Sequence, residues 1–267
     1  MKYQDIRKFS YKTEREVLTS KAHNFDMDDW FLSPYTCAKV RFYIELSSIF
    51  VYLLQDTKVT PNQISYTYAI LGIFGGFCLA SKINSIIIFG IFIIFFKVAV
   101  DGADGLLARV KYKPTDIGAV IDSWGGRVGE YGFIFGFGFY LFNFTSNIFY
   151  LYVMTAIILL KCLDLKSYTM MMAGESKSEK LIFYQQTSIN KNPSLDKKNL
   201  KTTIIEVIKK LIISYNYEGK TVDFILLLIL IELYCEKVIV SNYFFYLYLG
   251  RGILIFFRNI FLINKNN

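Results

Sequence analysis

The chain has 267 residues, 54% hydrophobic and 18% aromatic, with only 19% charged and a formal net charge of +8. Its mean hydropathy is +0.36. Average soluble domains are less apolar and far less aromatic, so the composition excludes an ordinary soluble domain and points to an integral membrane protein. No nucleic-acid recognition motif accompanies the positive surplus, so membrane lipids, not nucleic acid, are the expected partner of the basic loops.

The first 17 residues, MKYQDIRKFSYKTEREV, lack an apolar core and do not read as a signal peptide. Residues 1–60 form a cytoplasmic N-terminal segment in which Glu45–Leu54 is too short to span and suits a helix on the membrane surface. A spanning helix needs roughly 20 mostly apolar residues. Six stretches qualify: Ile64–Ser81, Asn84–Val100, Gly118–Asn143, Asn147–Leu165, Phe224–Val240 and Tyr243–Ile260. The second is expected to stay helical into Asp104, and the third to be kinkable at its glycines. The fold class is therefore all-α: a polytopic membrane protein with six transmembrane helices plus surface amphipathic helices. Residues 61–165 carry helices one to four, 166–221 a basic cytoplasmic loop, and 222–267 the last two helices. Within the loop, Gly174–Asn199 is polar, and Leu200–Tyr215 has an apolar face suited to the membrane surface or to the protein itself.

Lys and Arg are dense before residue 60, at Arg109–Lys113 and over Lys166–Lys220. The positive-inside rule puts those segments and both termini in the cytoplasm. Cys37, Cys78, Cys162 and Cys235 form no C-x-x-C pair and read as small apolar residues. His23 is the one histidine, which excludes a multi-histidine metal site.

Three carboxylates stand at the cytoplasmic edge of these apolar stretches: Asp101, Asp104 and Asp122. Residues 101 and 104 share a helical face, and 122 lies near the start of the following helix. Clustered carboxylates repel one another unless a cation compensates them. With oxygen donors alone, that cation is Mg²⁺ or Mn²⁺, which suits phosphate chemistry. Gly102, Gly105 and Ala108 lack bulk, Arg109 can grip phosphate, and Gly118 leaves room beside Asp122.

The pattern D-G-x-D-G-x-x-A-R, then G-x-x-x-D, held by Asp101, Gly102, Asp104, Gly105, Ala108, Arg109, Gly118 and Asp122, resembles the signature of the CDP-alcohol phosphotransferases. TPNQIS, Thr60 to Ser65, resembles the start of that family's first spanning helix. The resemblance is good from Asp29 to Leu165 and thin over Lys166–Lys220. It implies an enzyme that moves a phosphatidyl or other phospho-alcohol group from a CDP-linked lipid or alcohol donor to a hydroxyl acceptor, releasing CMP, in phospholipid biosynthesis. It implies metal ligands at Asp101, Asp104 and Asp122, contacts to the CDP moiety from Gly105, Ala108, Arg109 and Gly118, and a homodimer.

The family's last aspartate, metal ligand and proposed base, falls on Gly126. Three accounts follow. Asp122 or bound water takes the proton; Glu130, through a kink, or Asp116 substitutes; or the protein is a non-catalytic CDP-lipid or nucleotide binder. Lys97 is expected to reach the same interface as a structural ion-pair partner, and Arg127 to face acceptor phosphate or headgroups. Glu232, inside the fifth apolar stretch, is read as an inter-helix or dimer contact rather than part of an ion pathway.

Overall fold

The computed structural model describes residues 1–19, 27–28, 34–111, 114–163, 218–237 and 240–266. Among the described residues the chain is all-helical, with eight helices and no strand: α1 Tyr3–Thr19, α2 Pro34–Leu54, α3 Pro61–Leu79, α4 Asn84–Val110, α5 Asp116–Thr145, α6 Phe149–Cys162, α7 Glu218–Cys235 and α8 Ser241–Asn266. His23, Gly174–Asn199 and Leu200–Tyr215 lie outside them. Among the described residues, α4 is the one helix long and apolar enough to cross a membrane by length and composition, and α6 is a shorter apolar helix.

Local chemistry sets the helix ends. Thr60 and Gln63 form a reciprocal capping box before Pro61, so TPNQ is a helix start in physical terms. Thr115 Oγ1 accepts the Gly118 N–H at 3.0 Å and begins α5. Ser146, in the left-handed region at φ 55°, ends it. α4 runs unbroken past Asp104 to Val110, as its sequence suggests.

α3 is the organising helix, with its most extensive contacts to α5 and α4. It runs parallel to α5, with Gly72 against Gly129, Gly76 against Gly132, and the Ala80 carbonyl accepting from Asn143 at 2.8 Å. It runs antiparallel to α4, with Gly75 and Cys78 against Gly90. Small residues let such backbones approach closely. Of the α5 glycines expected to be kinkable, Gly125, Gly129, Gly132 and Gly136 line this docking face and Gly138 meets Met154 of α6, within one continuous helix.

Large apolar side chains fill the remaining interior. Phe133, Phe137, Tyr140 and Phe245 join Leu79 and Ile94 in the main core. A second core under α1 and α2 holds Ile6, Val51, Ile64 and Leu107. α2 is longer than the Glu45–Leu54 stretch and lies along α4, Tyr43 donating to the Phe95 carbonyl and Ser47 to that of Ala99. Outer faces stay apolar: Phe77 is 60% exposed and Phe92 56%.

Two predicted roles resolve here. Glu232 is 3% exposed and makes inter-helix contacts, accepting from Tyr140 of α5 and Ser241 of α8. α7 stops at Cys235, short of the expected Val240, because Glu236 takes a left-handed φ of 55° and turns the chain so that Glu232 can cap α8.

Candidate functional site

The capping box aims the first turns of α3 at the ends of α4 and α5. Ser65, two residues beyond Gln63, donates from Oγ to Asp104 Oδ2. Asp104 also accepts the Gly105 N–H and is 5% exposed, so its charge is enclosed by donors. Asp101, one turn back on α4, is half-buried.

Asp122 comes from the second turn of α5 and is exposed. The Tyr68 hydroxyl donates to it, reaching Oδ1 at 3.0 Å and the backbone carbonyl as well. Tyr68 is 1% exposed yet lies within electrostatic range of Asp101, Asp104 and Asp122 together. The structure thus brings the three aspartates around one phenol on α3. Asp101 and Asp104 each feel the Asp122 carboxylate. Among the described residues, no three carboxylate, His or Cys groups stand close enough to chelate one ion.

The small residues divide into two kinds. A Cβ at Gly102 would meet Ser47 Oγ at 2.8 Å, so that glycine admits α2, not a ligand. Gly105 has only the Arg109 guanidinium near it, at 3.6 Å, and Arg109 is exposed. Ala108 is half-buried between them. Gly118 leaves a gap bounded by Thr115 Oγ1 at 3.0 Å and Asn62 Oδ1 at 3.5 Å. A Cβ at Gly126 would have the Tyr68 hydroxyl alone nearby, at 3.8 Å.

Of the two acids expected to substitute at the site, Glu130 is engaged by other helices. Glu130 is held by Lys161 at 2.7 Å and by the Tyr248 hydroxyl. Asp116 sits exposed in the first turn of α5. Lys97 reaches in from α4 to the notch at Gly129, where a Cβ would stand 2.4 Å from its Nζ. Its charge is felt by Asp101 and Glu130, though no ion pair within 4.0 Å joins it to either. Arg127 is half-buried.

Sequence reasoning did not single out Tyr68, Ser65 or Asn62. Ser65 and Asn62 lie in the TPNQIS motif, but Tyr68 had no signal beyond its place two helical turns after the cap.

The chain belongs to the CDP-alcohol phosphatidyltransferase family, whose model matches residues 58–263. Members of this family are membrane-associated, use divalent metal ions, and transfer phospho-alcohol groups from CDP-alcohols to hydroxyl acceptors in phospholipid synthesis. No curated protein matches the chain.

Proposed function

We propose that this protein is a membrane-embedded CDP-alcohol phosphotransferase whose site is formed by α3, α4 and α5. The observation that carries the reading is that aspartates from both halves of the signature, Asp101 and Asp104 on α4 and Asp122 on α5, lie within electrostatic range of Tyr68. Exposed apolar faces such as those of Phe77 and Phe92 support a lipid surround, and with it the six-span, multi-pass arrangement with a cytoplasmic site.

The donor chemistry fits a hard divalent cation: carboxylate oxygens from two helices, with no nitrogen or sulfur ligand among them. Asp101, Asp104 and Asp122 would hold Mg²⁺ or Mn²⁺, which when bound neutralises charge on the diphosphate and on the departing CMP. Arg109, exposed beyond Gly105, binds the diphosphate, while the gap at Gly118 admits the cytidine side. The acceptor oxygen forms its bond to the β-phosphorus while its proton passes to Asp122. The bond from that phosphorus to the bridging oxygen breaks, and CMP leaves with the electron pair. Holding both substrates at one interface supplies proximity.

Gly126 supports a second reading, a non-catalytic CDP-lipid or nucleotide-binding protein of the same fold. The deciding experiment offers the protein, in lipid with Mg²⁺ or Mn²⁺, CDP-diacylglycerol and a panel of alcohols. Metal-dependent release of CMP with formation of a phosphodiester is expected. Bound CDP-lipid with no CMP release from any acceptor would overturn catalysis and leave the binding role. The homodimer implied by the family is checked in the same preparation by its mass.

A further inference from the structure

The resembled signature carries its last carboxylate at the position of Gly126, and the structure shows what faces that position. Among the described residues, the one heavy atom within 4 Å of a Cβ built at Gly126, apart from its chain neighbours and its own helix backbone, is the Tyr68 hydroxyl, at 3.8 Å. That hydroxyl is committed to Asp122, donating to Oδ1 at 3.0 Å and toward the Asp122 carbonyl. The ring is fixed on the other side too, since a Cβ at Gly125 would meet Tyr68 at 2.9 Å. α3 and α5 touch backbone to backbone one turn further on, at Gly72 and Gly129. Tyr68 is therefore wedged beside Asp122, with Asp101 the other carboxylate within its reach.

We infer that Tyr68 is a positioning residue that lets the site work with glycine at 126. The inference rests on the transferase reading above. A carboxylate at 126 would share the work of accepting the acceptor's proton. Without it, Asp122 carries that step alone, and an exposed aspartate has rotamers that point it into solvent. The Tyr68 hydrogen bond to Oδ1 restricts that choice. Tyr68 acts through Asp122 and exchanges no proton with the substrate.

The test is a double-mutant cycle of Y68F and G126D, assayed for CMP release on full-length protein in lipid. In the wild-type background Y68F lowers kcat about ten- to a hundredfold, the size of one hydrogen bond to a charged group. KM for the CDP donor is expected to change less than kcat, because Arg109 and the gap at Gly118 are untouched. In the G126D background a second carboxylate is present, and the Y68F loss shrinks to about threefold or less. A merely structural tyrosine would give the same loss in both backgrounds, or a raised donor KM with a lowered melting temperature. Either result, or Y68F turning over within twofold of wild type, overturns the inference while leaving the transferase reading intact. Wild-type protein that releases no CMP removes that reading, and this inference with it.

Discussion

Glu232 closes over Ser241, accepting its backbone N–H at 2.8 Å and its hydroxyl at 2.6 Å, with the Val240 N–H and the Tyr140 hydroxyl on the same carboxylate. One buried acid thus satisfies the first turn of α8 and ties α7 to α5. Removing it leaves several donors without an acceptor, each costly where water is scarce. We expect E232A to lower stability by roughly 2–4 kcal/mol and E232Q by less, read as thermal unfolding in detergent. CMP release per folded molecule stays at the wild-type level. A solute flux that vanishes in E232Q would instead assign the carboxylate to a pathway.

The glycines of α3 and α5 divide sharply by position. A Cβ at Gly76 would sit 1.9 Å from the Gly132 carbonyl oxygen, and one at Gly132 would sit 2.5 Å from that of Gly72. Neither obstacle is a flexible side chain, so the helices must part. Gly76→Ala and Gly132→Ala are each expected to cost on the order of 3 kcal/mol or more. Gly126→Ala meets nothing closer than 3.8 Å and adds a better helix former, so its melting temperature is expected to hold or rise. Folded yield and melting temperature of the three variants check the contrast.

α1 is held to α2 by a pH-dependent contact. Glu45 accepts both Arg7 Nε bonds, at 2.7 and 2.8 Å, and the Tyr3 and Tyr11 hydroxyls at 2.9 Å each. The Arg7 hydrogen bond, helped by the two phenols, lowers its carboxyl from 4.5 to about 2. The stabilisation is therefore full above about pH 4.5 and is lost as pH falls toward 2. Hydrogen exchange of the α1 amides, corrected for intrinsic rate, is expected to lose roughly two- to fivefold protection across that window, the scale of a largely solvated pair. E45Q shows the weaker protection at neutral pH and no further change over the same range.

What could be read from the sequence follows from how local each cause is. The start of α3 was legible because Thr60, Pro61 and Gln63 carry the whole cap within four residues. The carboxylate register on α4 was legible because a helix places residues three apart on one face. The α5 glycines were misread as hinges, since their partners, Gly72 and Gly76, lie more than 50 residues away. Tyr68 escaped notice for the same reason. Nothing local sets it apart from the other tyrosines, and only the approach of α5 makes this one a buried donor to Asp122. Glu130 seemed free to substitute at the site until α6 and α8 supplied Lys161 and Tyr248.

The parallel seam of α3 and α5 also sets how the site can adapt. Its facing surfaces are main chain, so no rotamer change can widen it. Tyr68 and Asp122 form a fixed jaw. The opposing jaw is the end of α4, whose close glycine contact with α3 lies back at Gly90, about three turns before Asp101, and which nearer the site rests on α2 through Ser47 to the Ala99 carbonyl. Donors or acceptors of different girth must be accommodated on that side. Evolution or engineering of a bulkier substrate range would thus work by loosening Ser47 against Gly102, leaving the glycine seam untouched.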